Sequence, residues 1–221
     1  IRTEPQLHAL MRREFGPAAN EALRRYTAGQ APAGRKRLRA ALDGLSQDVW
    51  YSAATWHMAD ALCKASEPPN VYVYQFTQRV HQCAVPCTPK SAWHGCDTTF
   101  WNGEEPIRPP SCHAHNHPSP AASHLGKTMF EYLVNFATAG SPNGMAPNGE
   151  SLPYWQAHST RRPGRHMELG QSIGMVELPH AEVERHNLCS REFFGKRLKA
   201  EIHRCEEQEK KKRGKQQQQQ Q

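Results

Sequence analysis

Apolar positions recur at helical spacing through the first quarter of the chain. Over residues 5–28, Leu7, Leu10, Met11 and Phe15 share a helical face, and Gly16-Pro17 punctuates the stretch into two pieces. Residues 33–43 have the same character, and both stretches read as short surface helices. Ser46 then reads as the cap of a stronger helix, in which Val49, Ala53, Trp56 or His57, Asp60 and Ala61 follow, ending near Lys64. Pro68-Pro69 stop it. Directly afterwards the pattern changes. Val71-Tyr72-Val73-Tyr74-Gln75-Phe76 is a β-branched and aromatic run without polar alternation, which predicts a parallel strand buried on both faces.

From Thr77 to Ala122 no period is sustained, and Pro, Cys, His and Gly abound, so this segment reads as a long functional or disulfide-held loop. Ser123 reads as the cap of an amphipathic helix with Leu125, Met129, Tyr132, Leu133 and Phe136 on one face, stopped by Gly140 and Pro142. Two short runs around Met167 and Met175 predict strands flanking Gly170 to Gly174. A last helix is expected from Ala181 past Phe194. Helix, buried strand, irregular loop, helix is the order of an α/β layer, and no internal repeat interrupts it.

Composition changes this picture only at the edges. The 221 residues are 37% hydrophobic and 22% charged, which suits a globular chain, and no run approaches membrane-spanning length. The formal charge of +7 would imply an acidic partner if it formed one patch. Instead much of it sits in a tail: from Arg204 there are six Lys or Arg against three Glu, followed by six Gln. Residues 196–221 therefore read as a basic low-complexity extension, and residues 1–195 as the folded part. The tail's Lys210 to Lys215 also fits a nucleic-acid patch, but a solvated tail accounts for it and no nucleic-acid partner is expected. Of seven cysteines, Cys83, Cys87, Cys96 and Cys112 cluster in the loop, which suits disulfides and leans toward the secretory pathway, although the odd total leaves one over.

The segment Ser91-Ala92-Trp93-His94-Gly95-Cys96-Asp97-Thr98-Thr99-Phe100-Trp101-Asn102-Gly103 carries a His-Gly pair, one residue, an acid, then an aromatic pair and Gly. It resembles the histidine loop of the type-B carboxylesterase/cholinesterase-like family. The likeness extends outward in order. Upstream, Ser46 to Tyr51, Ala59 to Leu62 and Val71 to Phe76 resemble the helix and the last core strand of that family. Downstream, Met129 to Gly144, with its Asn135-Phe136-Ala137 and Pro142-Asn143, resembles the following helix and turn, and Leu152 to Trp155, Met167 to Leu169 and Cys189 to Phe194 complete the series.

The resemblance implies the C-terminal part of an α/β-hydrolase fold, with an incomplete central sheet and flanking helices. It implies a carboxylic ester hydrolase using a serine, a histidine and an acid, a small carboxylic ester as substrate, and no cofactor. His94 would be the catalytic histidine, taking the serine proton during attack and returning it to the leaving alcohol. The serine and the acid would lie before Ile1, so the chain alone is expected to be inactive and reads as a fragment. Asp97, three residues from His94, would support the loop rather than act as the triad acid. Cys189 resembles the late disulfide cysteine of the family, yet the matching upstream position is Ala53.

Two other motifs compete for chemistry. Gly170-Gln171-Ser172-Ile173-Gly174 satisfies the G-x-S-x-G string, but Met175-Val176-Glu177-Leu178-Pro179 after it reads as a strand and a stop rather than the helix that a nucleophile elbow requires. Cys112-His113-Ala114-His115-Asn116-His117 offers alternating imidazoles, better read as a variable loop than as a metal site. The alternative to an esterase is a non-catalytic cholinesterase-like adhesion or binding module with a broken triad.

Overall fold

The computed structural model describes residues 1–29, 34–78, 92, 95–103, 120–196 and 204. It divides into two compact units, residues 1–61 with 179–221, and residues 62–178.

The first unit is helical. Helix α1 (Glu4–Phe15) opens on Thr3, whose side chain accepts from the Gln6 N–H, and closes at Gly16, whose φ of 53° is the left-handed conformation that glycine adopts without strain. A single 3-10 turn at Gly16–Ala18 leads to α2 (Ala19–Thr27), so the Gly-Pro break falls where expected. These helices are not merely superficial. Leu7, Met11, Phe15, Ala22 and Tyr26 are almost fully buried and pack with Leu38, Ala41, Leu45, Ala53 and Leu188 from later helices. Each of the larger apolar side chains taken from water contributes about 1.5–3 kcal/mol, which holds helices too short to be stable alone.

Helix α3 (Arg35–Gln47) runs directly through a π turn, Asp48–Ser52, into α4 (Ala53–Leu62). Ser46 therefore caps nothing: it lies inside α3. Nothing in 35–62 stops the helix, because Gly44 is tolerated and the stretch has no proline; the irregularity takes the form of one wider turn. Helix α6 (His180–Leu188) likewise continues through a second π turn, Cys189–Phe194.

The second unit contains the sheet. Strands β1 (Tyr74–Phe76), β2 (Arg165–Leu169) and β3 (Ile173–Glu177) lie in that order, β1 parallel and β3 antiparallel to β2. Tyr74 faces Met167 and Phe76 faces Leu169. The regular strand is shorter than the predicted Val71–Phe76, although Met167 N–H donates to Val73 O (3.0 Å) and His158 N–H to Val71 O (2.7 Å). The expectation of burial on both faces is corrected: Tyr74 and Phe76, on one face of β1, are half-buried, and Gln75, on the opposite face, is exposed.

Helix α5 (Pro120–Ala139) lies over this sheet. It begins at Pro120 rather than at a Ser123 cap; proline's fixed φ suits the first helical position. Its end is as predicted: Gly140, at φ 69°, donates to Phe136 O (2.8 Å). Leu125, Met129 and Tyr132 are buried against Met167 and Leu169. Leu133 and Phe136, placed on the same face from sequence, are instead 43% and 45% exposed; the Phe136 ring still lies 5.9 Å edge-on from Tyr72, while Leu133 adjoins the exposed Phe130 and Val134 on another side of the helix. Beyond α5, Asn143 and Trp155 exchange two bonds: Trp155 N–H donates to Asn143 Oδ1 (2.7 Å) and Asn143 Nδ2 to Trp155 O (2.8 Å). The Trp155 indole also donates to Val73 O (3.2 Å), which ties this segment to β1.

Candidate active site

His94 lies outside the described residues, but the turn directly after it is defined. Gly95 (φ 78°) starts the turn and Gly103 (φ 81°) ends it. Between them Thr98 N–H and Thr98 Oγ1 both donate to Gly95 O (3.3 and 2.8 Å), Trp101 N–H donates to Asp97 O (3.2 Å), and Gly103 N–H donates to Phe100 O (2.9 Å). Cys96 and Phe100 are the buried anchors, the Phe100 ring 5.1 Å from that of Phe76. A Cβ at Gly103 would meet Phe130 Cβ at an ordinary contact distance of 3.5 Å, so it is the positive φ that favours glycine there.

Asp97 is held by the strand. Tyr74 Oη donates to Asp97 Oδ2 at 2.7 Å and accepts from Trp101 Nε1 at 3.2 Å. Burial, and after it the bond to the Asp97 carboxylate, pushes the Tyr74 phenol up to about 12. It is thus protonated near neutrality and remains the donor. The aromatic side chains here also enclose a pocket of about 160 Å³ between Tyr72, Tyr74, Trp101 and Trp155 on one side and Tyr132, Leu133 and Phe136 of α5 on the other. Its walls are apolar apart from phenol and indole edges, which suits a hydrocarbon moiety more than a charged group.

Ser172 is not on a nucleophile elbow. It sits exposed in the β2–β3 turn, where Gly170 N–H donates to Ser172 O (3.1 Å), and the chain continues into β3 rather than into a helix. Its hydroxyl donates to Glu168 Oε2 (3.3 Å). The Cys-His-x-His-x-His segment and Cys83, Cys87 and Cys112 lie outside the described residues; Cys63 and Cys189 are free thiols.

A second polar constellation, missed from sequence, lies in the helical unit. Asp48, 2% exposed at the start of the first π turn, accepts from Tyr26 Oη (3.0 Å) and Arg185 Nε (3.0 Å) and pairs with His186 Nε2 (3.2 Å). Burial alone would raise the Asp48 carboxyl, but the His186 bond and the Arg185 charge outweigh it and hold it below its ordinary value. Cys189, at the start of the second π turn, lies 3.0 Å from Tyr26 Oη, and burial pushes its thiol up to about 11. A neutral buried thiol is a poor nucleophile, so this cluster is structural. Ala53 and Cys189 belong to the same apolar core, in keeping with the free state of the Cys189 thiol. The only sequence signal was an acid inside an apolar helical stretch, which does not say whether the acid faces water.

The sequence profile described as the carboxylesterase family matches residues 3–185, and the chain belongs to that family. No curated protein matches the sequence. Among solved structures, a carboxylesterase of Geobacillus stearothermophilus aligns with a TM-score of 0.57 at 19% identity, covering 84% of this chain and 35% of that one. An esterase from the anaerobe Clostridium hathewayi, able to hydrolyse aliphatic aromatic polyesters, aligns with a TM-score of 0.47 at 18% identity, covering 86% of this chain and 33% of that one. The chain thus spans about a third of the length of these structures. At this identity the first alignment establishes the fold: helices with a small mixed sheet, part of an α/β hydrolase.

Proposed function

We propose that residues 1–195 are the C-terminal portion of a serine esterase domain and that His94 is its general base and acid, with residues 196–221 a basic extension. The substrate class is a small carboxylic ester. The serine and the triad acid belong to segments outside these 221 residues, and the chain alone has no turnover. During attack the imidazole removes the serine proton, and on collapse of the tetrahedral intermediate it protonates the leaving alcohol; an ordinary imidazole titrates near neutrality and serves both steps.

The observation that carries this reading is the bond from Tyr74 to Asp97 in the turn directly after His94. A carboxylate engaged by a strand phenol supports the loop, which favours Asp97 as scaffold and leaves the triad acid to be supplied elsewhere. Family membership supplies the chemistry.

The test is turnover of short-chain p-nitrophenyl esters. The purified 221-residue chain should show none, and in a longer active protein containing it His94→Ala should lower kcat by about 10²–10⁴-fold. Turnover by the chain alone that survives His94→Ala would overturn the reading. A longer protein carrying the chain but lacking the serine, and without turnover, would point instead to the binding module.

A further inference from the structure

The cavity of about 160 Å³ lies wholly within the second unit, and residue spacing on three segments builds it. Tyr72 and Tyr74 stand two apart in the extended run that leads into β1, so their rings share one face of the sheet. Tyr132 and Phe136, four apart on α5, supply the opposite wall with Leu133 beside them. Trp155 joins the two walls: its ring lies 5.2 Å from Tyr132, 6.0 Å from Tyr72 and 6.2 Å from Tyr74, at interplanar angles of 79°, 76° and 85°. Trp101 meets Tyr74 at 5.2 Å and 74°, and Phe136 meets Tyr72 at 5.9 Å and 82°. All five pairs are therefore set across one another rather than stacked. Rings in this arrangement leave a gap that a stack would close, bounded by π faces and C–H edges.

The polar atoms of these walls are already engaged by the protein. Tyr132 Oη donates to Pro153 O (2.7 Å), Trp155 Nε1 to Val73 O (3.2 Å), Tyr74 Oη to Asp97 Oδ2 (2.7 Å) and Trp101 Nε1 to Tyr74 Oη (3.2 Å). Tyr72 Oη reaches Ser141 Oγ at a longer 3.4 Å. Among the described residues no charged side chain lines the cavity, and burial pushes the Tyr74 and Tyr132 phenols up, so neither carries charge near neutrality. A buried water needs about 2–4 polar partners, which these walls do not spare. The floor is the buried pair Tyr132 and Trp155, while the exposed Leu133 and Phe136 form a mouth through which a ligand can enter. Engineered apolar cavities of about 150 Å³ stay dry and take up benzene. We propose that this cavity binds one neutral, single-ring aromatic molecule of about the size of toluene. An ion finds no counter-charge here, and a saturated ring of the same size forgoes the edge-to-face contacts that the walls offer. The site stands whether or not His94 is a base.

The test titrates toluene into the 221-residue chain at low micromolar concentration, read by saturation-transfer NMR and by tryptophan emission. Methylcyclohexane, benzoate and tetramethylammonium are the comparators. Toluene should bind with a Kd below about 1 mM, well inside the ligand-efficiency ceiling for so small a molecule. It should bind several-fold more tightly than methylcyclohexane, and neither ion should bind measurably. Leu133→Trp sets an indole at the mouth and should weaken toluene at least tenfold with an unchanged far-ultraviolet circular dichroism spectrum. Phe136→Leu, at an exposed position where the fold has little to lose, removes one ring and should weaken toluene several-fold while leaving methylcyclohexane as it was. Absence of toluene binding up to its solubility, undiminished binding in both variants, or any comparator binding as tightly as toluene would overturn the proposal. A repeat at tenfold higher protein concentration separates the sources of the ring. Unchanged affinity supports a small-molecule site, whereas affinity that falls as the chain associates means that a second copy fills the cavity, which overturns it. None of these readouts involves turnover, so their failure and the failure of His94→Ala to abolish ester hydrolysis are told apart.

Discussion

Asp48→Asn removes one charge at constant volume from the most buried carboxylate described. In the folded chain Asp48 accepts from Tyr26 and Arg185 and pairs with His186, at 3.0, 3.0 and 3.2 Å. Breaking one side of a buried ion pair typically costs about 3–5 kcal/mol, because the partner charge stays behind without compensation. The Arg185 side chain is 22% exposed and keeps some water, so the lower end applies, about 3 kcal/mol. Hydrogen exchange read by mass spectrometry on α2 and α6 at low micromolar concentration is the appropriate assay. A loss of about 3 kcal/mol corresponds to roughly a hundredfold faster exchange at neutral pH. The pH dependence gives a second constraint. Because the folded-state pKa of Asp48 is depressed, its contribution is complete above the unfolded carboxylate value of about 3.9 and is lost as pH falls through the lower folded value. After correction for intrinsic rates, the gap between parent and variant should be level from about pH 5 to 8 and close only in strong acid. A gap below about 1 kcal/mol, the range of an exposed ion pair, would refute the argument that burial makes this cluster costly to break. A gap unchanged down to the lowest pH would refute the assignment of the charge to Asp48.

Tyr74→Phe deletes the donor to Asp97 and the acceptor for Trp101, and should destabilise the 95–103 turn by about 1.5–3 kcal/mol, as expected for a bond to a charged group, measured by exchange of its amides. In the parent chain the Tyr74 phenol should ionise only near pH 12 in an ultraviolet titration, and titration near the ordinary tyrosine value would contradict its burial beside Asp97. With its thiol held up to about 11, Cys189 should resist iodoacetamide at pH 8 while the half-buried Cys63 reacts first, peptide mapping being the readout; equal rates would mean that the helical unit opens readily. The exposed α5 side of Phe130, Leu133 and Val134 should drive self-association as concentration rises, seen by light scattering, and Leu133→Lys with Val134→Lys should suppress it.

Much of this molecule can be read from local pattern. The Gly16-Pro17 break, the helix that ends at Gly140 and the strands around Met167 and Met175 all rest on short-range preferences of backbone and side chain, which the amino acids carry wherever they are placed. The helix starts assigned to Ser46 and Ser123 were misplaced because a capping residue acts as a cap only where the chain has some other reason to break, and neither site had one. Which side of a side chain meets another element is not written in its own neighbourhood. That Leu133 and Phe136 stay exposed while Tyr132 is buried depends on where the sheet stops, and an isolated Asp48 gives no sign that it will meet Arg185 and His186 from the far end of the chain. The same holds for Glu168 and Thr77: their bond depends on a strand pairing across 91 residues. Periodicity and turn chemistry are local and survive in the sequence, whereas burial, charge pairing and the grip on the histidine loop arise only when distant segments are packed together.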